Sequence, residues 1–90
     1  MDFEYDENKS LKNKEKHNID FYEAKLLWSN KNAIVVPAKL VNNEERYAII
    51  SSIETKCYVA IFVIRNNNYR IISVRRCRKN EEKNYAKSDS

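Results

Sequence analysis

The sequence predicts an α+β fold in which two N-terminal helices pack on a four-stranded antiparallel sheet and a short helix follows the sheet. Two observations predict this arrangement. Residues 6–30 show helical spacing and capping residues, whereas residues 33–77 form four runs rich in β-branched and aromatic residues. The connections between these runs are short, which is typical of an antiparallel meander. The chain has 90 residues and no internal repeat, so we expect one domain over residues 1–90, with the closing helix and a frayed tail over residues 81–90.

The first predicted helix covers residues 6–16. Asp6 can cap its N-terminus, and Lys14 and Lys16 in its last turn complement the helix dipole. Asn18 can adopt the left-handed conformation that ends many helices. A tight turn is therefore expected before the second helix.

The second predicted helix begins at Asp20 and ends near Ser29–Asn30. Glu23 stands three residues after Asp20, which is the spacing of a capping box. Four apolar residues fall on one face of this helix: Phe21, Ala24, Leu27 and Trp28. This face is predicted to cover the sheet.

Four strands are predicted for the sheet, at roughly residues 33–41, 44–54, 57–65 and 69–77. Their turns are expected at Asn42–Asn43, Thr55–Lys56 and Asn66–Asn68. Pro37 lacks the N–H that a central strand needs, so the first strand is expected to lie at an edge or to lack a partner there. Asn80 is the expected N-cap of a closing helix that reaches Lys87.

These turns set a register in which one face of the sheet is almost wholly apolar and is taken as the core face. It comprises Ile34, Val36, Ala38, Leu40, Tyr47, Ile49, Ile53, Tyr58, Ala60, Phe62, Ile64, Ile72 and Val74. The other face is half apolar and carries cations. Lys39, Arg46, Arg65 and Tyr69 are expected to lie side by side across the strands of this face. Arg75 is expected beside Val59 and Ser52, about 20 Å from that group. That spacing suits an extended anion, with Tyr69 as a stacking platform for a base; a solvated sheet face is the alternative.

The charges favour an anionic partner. The chain has 17 Lys and Arg against 13 Asp and Glu, which gives a net charge of +4 and a pI near 9.1. Residues 65–80 carry six cations and no acidic residue, whereas the first seven residues carry four acids. A basic stretch of this kind is typical of nucleic-acid-binding proteins.

The apolar runs are too short for a membrane span and no secretion signal is visible, so we expect a cytoplasmic protein without a membrane partner. The predicted register places Cys57 opposite Cys77, close enough for a disulfide if the protein is oxidised. In the cytoplasm two reduced thiols are expected instead. No further ligands converge with them, so no metal site is predicted.

His17 is the only histidine of the chain. The neighbouring cations Lys14 and Lys16 favour its neutral imidazole, which can act as a general base. The alternative is a capping or packing histidine in the turn between two helices.

Five segments, in order along the chain, resemble motifs of the BrnT family of bacterial type II toxins. Residues 3–6, Phe-Glu-Tyr-Asp, with Lys9 resemble F-E-W-D-x-x-K. Asn13 with residues 16–19, Lys-His-Asn-Ile, resembles N-x-x-K-H-G-[IV], and residues 20–24 resemble S-F-x-E-A. Glu45-Arg46 stands where the family has E-R before a strand.

The fifth segment covers residues 70–77 and continues to Glu81 and Tyr85. It resembles R-I-I-S-A-R-R-A followed by E-x-x-x-Y. Two departures are modest, because Asn18 replaces a turn glycine that asparagine can mimic and Arg78 replaces a threonine that would cap the last helix.

The resemblance implies a small ribonuclease toxin with a fold similar to that of RelE toxins. Such a toxin would cleave RNA and arrest growth until a cognate antitoxin neutralises it. The implied antitoxin is BrnA-like, with a DNA-binding domain that would form a heterotetramer with the toxin and carry it to operator DNA. The resemblance implies that no metal and no organic cofactor is needed.

RNA cleavage without a metal needs a base for the ribose 2′-hydroxyl, cations for the phosphorane and an acid for the leaving 5′-oxygen. The catalytic candidates are His17, Arg46, Arg75, Arg76, Glu81 and Tyr85. The RNA-binding candidates are Lys14, Lys16, Lys39, Arg65, Tyr69, Arg70, Arg78 and Lys79. Three of these have structural alternatives, since Glu81 can stabilise a helix N-terminus, Arg76 can pair with a carboxylate and Tyr85 can pack.

Two other classes of function are compatible with these features. A non-catalytic nucleic-acid or antitoxin-binding co-repressor would use the same basic face, but it would protect RNA stoichiometrically where an enzyme turns it over. A purely structural interaction protein would bind neither RNA nor operator DNA. The strand edge beside Pro37 and a groove near Trp28 are the two expected places for an antitoxin to dock.

Overall fold

The computed structural model describes residues 2–89, with side chains described as far as residue 86. Five strands and three α-helices follow one another along the chain, with a 3₁₀ helix after the second. Their bounds are β1 Phe3–Glu4, α1 Glu7–His17, α2 Phe21–Ala24, the 3₁₀ helix Lys25–Ser29, β2 Ile34–Pro37, β3 Tyr47–Ile53, β4 Lys56–Arg65, β5 Asn68–Arg76 and α3 Lys79–Asp89. The α+β class is confirmed. The closing helix was predicted to end at Lys87 and to be followed by a frayed tail, but the helix continues to Asp89, and residue 90 lies outside the described residues.

The sheet has five strands in the order β1-β5-β4-β3-β2, and it is mixed. The prediction of a four-stranded antiparallel sheet was wrong in one strand, because Phe3–Glu4 pairs in parallel with Tyr69–Arg70. A strand of two residues is too short to show the alternation that identifies strands in a sequence. The four longer strands form the predicted antiparallel meander.

Three of the four predicted helix caps are confirmed. Asp6 Oδ1 accepts a hydrogen bond from the Lys9 N–H at 3.1 Å, and Asn18 ends α1 with a φ of 62°. Asp20 and Glu23 form both halves of the capping box, at 2.7 and 3.0 Å. The second helix does end at Ser29, although its last five residues tighten into the 3₁₀ helix. Helix α3 begins at Lys79, so Asn80 lies inside it and is not its N-cap.

The predicted turn at Asn42–Asn43 is confirmed, but the register beyond it and the position of the next turn differ from the prediction. Asn42 and Asn43 turn with positive φ, but Ile34 pairs with Ile50, one residue away from the predicted register. A shift of one residue exchanges the faces of a strand, so Val35 rather than Ile34 lies on the core side with Ile49. The next turn is Glu54–Thr55 instead of Thr55–Lys56. The pairing of β3 with β4 is therefore shifted by two residues, and each side chain of these strands stays on its predicted face.

A bulge halfway along β5 changes the face of the sheet on which the side chains of this strand lie. The last turn has two residues, Asn66–Asn67, and the register shifts at Ile61/Phe62. On one side of the bulge Val59 pairs with Arg75, as predicted. On the other side Ile64 pairs with Tyr69, so the prediction that Tyr69 lies on the cationic face was wrong.

The core lies between the sheet and the N-terminal helices. Its fully buried members include Phe21, Leu27, Ile49, Ile71 and Val74. Two buried hydroxyls are paired here, since the Ser51 hydroxyl donates to the Leu27 carbonyl and the Ser10 hydroxyl accepts from the Phe21 N–H, both at 2.9 Å. The buried Nε1 of Trp28 has no partner among the described residues.

The buried amide of Asn13 completes the edge of β5 beyond β1. Its Nδ2 donates to the carbonyls of Ile19 and Val74 at 2.8 and 2.9 Å, and its Oδ1 accepts from the Val74 N–H at 3.3 Å. The side chain therefore makes the two hydrogen bonds that a neighbouring strand would make.

The two cysteines form a disulfide, which corrects the expectation of reduced thiols. Cys77 donates its N–H to the Cys57 carbonyl at 2.9 Å, so the predicted pairing of the two positions is confirmed. Their Cα atoms are 5.3 Å apart, within the range that a disulfide spans. The expectation was wrong because it rested on the compartment and not on geometry.

None of the helices within residues 2–89 is long and apolar enough to cross a membrane.

Candidate functional site

The face of the sheet opposite α1 and α2 carries four of the predicted arginines: Arg46, Arg65, Arg70 and Arg75. We call it the open face; its central row is Ala48, Ile61 and Ser73, which lie on neighbouring strands. This uncharged row runs across the strands, and arginines lie on both sides of it, toward the two ends of the strands. Arg75 pairs with Val59 at the end that we call proximal, and Arg70 pairs with Val63 at the distal end, about 13 Å away along β4.

At the proximal end Arg75 and Glu81 form a two-pronged ion pair. The two guanidinium–carboxylate contacts measure 2.8 and 2.9 Å, and the side chains are 29% and 19% exposed. Glu81 also accepts the Arg78 N–H at 2.7 Å, which ties the start of α3 to β5. The Arg75 hydrogen bond is the main cause that lowers the pKa of Glu81 to about 2, and the same bond raises the pKa of Arg75. Glu81 is therefore ionised at neutral pH and cannot donate a proton.

The hydroxyl of Tyr85 is held in a network of three side chains. It lies 3.1 Å from the Ser52 hydroxyl and accepts from Asn30 Nδ2 at 3.1 Å, while Asn30 also donates to Ser52 at 2.9 Å. Tyr85 is buried, so the network anchors α3 across the proximal end of the open face. Sequence reasoning missed Asn30 and Ser52, because 55 and 33 residues separate them from Tyr85 and no local pattern connects them.

Arg76 points away from Arg75. Its guanidinium carbon lies 5.6 Å from the centre of the Tyr58 ring, and it lines an open pocket of about 320 Å³ with Ser52, Glu82 and Tyr85. Arg76 is exposed, as are Arg78 and Lys79 at the start of α3. The chain therefore concentrates exposed positive charge where β5 leads into α3.

The distal end holds three arginines around one carboxylate. Arg65 makes a two-pronged bond with Glu44 at 2.8 and 2.9 Å, and Arg70 lies 3.8 Å from Glu4. The pKa of Glu44 is lowered first by the Arg65 hydrogen bond and then, more weakly, by the charges of Arg46 and Arg70. The distal end therefore keeps a surplus of positive charge.

Arg46 is distinct within this distal cluster. It immediately precedes β3 and is half-buried. Its Nε is buried and has no hydrogen-bond partner among the described residues. A buried donor without a partner is costly, so Arg46 holds this position at an energetic cost.

His17 lies at the end of α1, away from both arginine clusters in sequence. It is half-buried and lines a shallow pocket of about 240 Å³ with Lys12, Lys16 and Ser73. Ser73 belongs to the central row of the open face, so the His17 pocket reaches the edge of that face. Lys14 is directed elsewhere, because its ammonium is bonded to Glu23 at 2.7 Å and this bond raises its pKa.

Two further RNA-binding candidates lie outside these groups. Tyr69 packs among aromatic rings on the core side, with centroids 5.5 Å from Phe3, 5.6 Å from Trp28 and 5.4 Å from Phe62. Its ring is thus used in packing, and the predicted stacking platform is not on the open face. Lys39 is exposed in the connection between β2 and β3.

No three His, Cys, Asp or Glu side chains among residues 2–89 are grouped in a way that could hold a metal ion.

Comparison with known proteins gives one finding. A family model described as the ribonuclease toxin BrnT of type II toxin–antitoxin systems matches residues 5–81, which include both arginine clusters, His17 and Glu81. No curated protein matches the chain.

Proposed function

The chain belongs to the BrnT family of ribonuclease toxins of type II toxin–antitoxin systems, and on this premise we propose that it cleaves RNA across the open face of its sheet. The observation that carries the proposal is the positive charge at both ends of one sheet face, separated by the uncharged row of Ala48, Ile61 and Ser73. A single RNA strand has phosphates at regular intervals, so it can contact both ends at once.

In the proposed reaction His17 takes the proton from the ribose 2′-hydroxyl at the edge of the central row, and the 2′-oxygen bonds to the phosphorus. The bond from the phosphorus to the 5′-oxygen then breaks, which leaves a 2′,3′-cyclic phosphate, and water supplies the proton for the leaving 5′-oxygen. The guanidinium group of Arg75 stabilises the negative charge of the phosphorane. Arg76, which points away from Arg75, binds a neighbouring phosphate, and Arg46 holds the RNA backbone at the distal end. The reaction is proposed to need no metal and no organic cofactor. Arg65, Arg70, Arg78, Lys79, Lys16 and Lys39 are proposed to bind further phosphates.

Glu81 and Tyr85 act indirectly in this proposal. Glu81 is ionised and bonded to Arg75, so it orients that guanidinium and does not act as the acid. The Tyr85 hydroxyl is engaged by Ser52 and Asn30, so it holds α3 in place. Both roles are positioning roles, which require the ion pair and the network to persist when RNA is bound.

The family implies an antitoxin partner and an RNA target. We propose further that the antitoxin is BrnA-like and binds DNA, that toxin and antitoxin form a heterotetramer on operator DNA, and that free toxin arrests growth in the cytoplasm. The RelE-like relationship implied by the sequence stays a prediction.

One observation favours a second function. Two of the catalytic candidates, Glu81 and Tyr85, already have partners within the chain, which suits a protein that binds RNA or operator complexes without turnover. A non-catalytic co-repressor would use the same open face.

Cleavage of total RNA by the purified toxin in the presence of EDTA tests the proposal. We expect the wild type and Lys31→Ala, which removes an exposed cation outside the predicted site, to cleave equally. His17→Ala and Arg75→Ala should each lose at least about 100-fold in rate. Retained cleavage by both variants would contradict the assignment of the site. Intact RNA with the wild type, also when translating ribosomes are added, would contradict cleavage and favour the co-repressor.

A further inference from the structure

One edge of the sheet is covered by other parts of the chain and the other edge is exposed. At one edge β5 is covered by β1 and by the amide of Asn13. At the other edge β2 has no neighbouring strand within residues 2–89. Its side chains are apolar and exposed, with Val35 53%, Val36 37% and nearby Leu40 58% exposed. An exposed apolar edge is a template for pairing with another chain.

The hydrogen-bonding groups at this edge follow from the pairing of β2 with β3. Ala38 donates its N–H to the Arg46 carbonyl at 2.8 Å. Because bonds alternate along an antiparallel strand, Ile34 and Val36 also face β3, whereas Val35 and Pro37 face outward. Pro37 has no N–H, so the edge offers one donor, from Val35, and two acceptor carbonyls. This is enough for a short strand to bind.

The surroundings of the edge favour an acidic segment. Residues 31–41 carry Lys31 and Lys39 and no acidic residue. Beside the end of β2 lies a pocket of about 390 Å³, lined by Pro37, Ala38, Leu40, Glu45, Arg46 and Tyr47. Glu45 is exposed and accepts a hydrogen bond from the Tyr47 hydroxyl at 2.8 Å. Arg46 is half-buried and none of the ion pairs among the described residues involves it, so the accessible part of its guanidinium can bind a carboxylate from outside.

We propose that an extended acidic segment of the antitoxin adds to the sheet as a strand beside β2, with one carboxylate bound to Arg46. The segment would alternate acidic and apolar residues, because Val35 lies on the core side of the edge strand and Val36 on the open face. A second copy of the toxin is disfavoured here, since antiparallel pairing of two β2 strands would bring their Lys31 and Lys39 ends together.

This docking mode also explains inhibition, and in this respect it rests on the proposed function. Arg46 belongs to the distal arginine cluster that is proposed to hold RNA. A carboxylate bound there removes that charge from the RNA path, and the added strand extends the sheet next to the open face. The antitoxin would therefore block RNA binding without reaching His17 or Arg75.

The test uses the antitoxin co-expressed with the toxin from the same operon and the two matched variants Val35→Lys and Leu11→Lys. Both substitutions place a lysine at an exposed apolar position, on the β2 edge and on α1 respectively. We expect Val35→Lys to weaken antitoxin binding by at least about 30-fold and to escape neutralisation, while its RNA cleavage equals that of the wild type. Leu11→Lys should bind normally. The proposed strand pairing needs the Val35 position. If Val35→Lys bound the antitoxin within threefold of the wild-type affinity, the proposal would be overturned.

Hydrogen exchange on the wild-type protein gives a readout that depends neither on a variant nor on RNA cleavage. The outward amide of Val35 should exchange rapidly in the free toxin and at least about 100-fold more slowly in the complex. Unchanged exchange of this amide would overturn the proposal, as would slow exchange in the free toxin that depends on its own concentration, because a second copy would then occupy the edge. If the toxin binds as expected but does not cleave RNA, only the proposed function fails.

Discussion

The two arginine-bearing ends of the open face differ in how their charge is compensated. At the proximal end the half-buried guanidinium of Arg75 is saturated by Glu81, and α3 is anchored over it through Tyr85. At the distal end three arginines share Glu44 and, at longer range, Glu4, and their ion pairs are more exposed. The charge at the proximal end is therefore used to attach α3 to β5, whereas the distal end has positive charge that is not fully compensated and is exposed to solvent.

This difference shows that a count of charges along the sequence does not give the charge available to a ligand. Residues 65–80 contain no acidic residue, yet three of their arginines are paired with carboxylates from outside this stretch. Those carboxylates come from β1, from the loop before β3 and from α3. The surplus that can attract RNA is therefore smaller than the sequence suggests and lies mainly at the distal end and at the start of α3.

Reduction of the disulfide tests whether the proximal end depends on a covalent link as well as on its ion pair. The disulfide closes a loop between positions 20 residues apart. We expect reduction to lower the free energy of unfolding by about 3 kcal/mol, since the unfolded chain is no longer restricted. Urea unfolding with and without reductant measures this. A double variant with Cys57→Ser and Cys77→Ser should not respond to reductant, and an equal response from both proteins would count against the link.

Acidification tests the proximal ion pair itself. The pKa of Glu81 is about 2 in the folded protein and near 4.5 when it is unpaired, so its contribution to stability is complete above pH 4.5 and is lost as the pH falls toward 2. We expect this loss to reach about 2 kcal/mol after allowing for the exposed part of the pair. Glu81→Gln should remove this part of the pH dependence, whereas Glu82→Gln, on the same helix, should keep it. If the free energy of unfolding depends on pH in the same way in both variants, Glu81 does not cause this loss of stability.

Removal of the distal carboxylate should affect binding rather than stability. Glu44→Gln leaves three arginines with less compensation, so the affinity for a single-stranded RNA should rise by about threefold at low salt and the salt dependence should steepen. Its unfolding midpoint should stay that of the wild type, because the pair is exposed. Fluorescence anisotropy with a labelled oligonucleotide measures the affinity. Weaker binding by this variant would show that Glu44 organises the distal cluster and does not merely neutralise it.

Local chemistry made much of the fold predictable. The caps at Asp6, Asn18 and Asp20 involve residues at most four positions apart, and all three are as predicted. The meander followed from short turns. Register was the weak point, because a single bulge at Ile61/Phe62 and a one-residue offset in β2 depend on packing across the whole sheet.

The candidate site was predictable in composition but not in arrangement. The arginines of β5 could be identified as important from the sequence, and their clustering on one face is partly as predicted. Which of them is free could not be predicted, because the partner of Arg75 lies across the start of a helix and the partner of Arg65 lies 21 residues away. Tyr69 was misplaced for the same reason as the register, since the bulge turned its ring toward Trp28 and Phe3.

The amide of Asn13 links the first helix to a strand 61 residues later. During synthesis α1 leaves the ribosome long before Val74, so the bonds that cover the edge of β5 form only when the chain is nearly complete. Until then β4 lacks its outer neighbour, and the β3–β4 hairpin is open on the side that β5 will cover. The growing chain is thus most exposed to aggregation just before its last strand appears, and slow translation of residues 57–77 would prolong that stage.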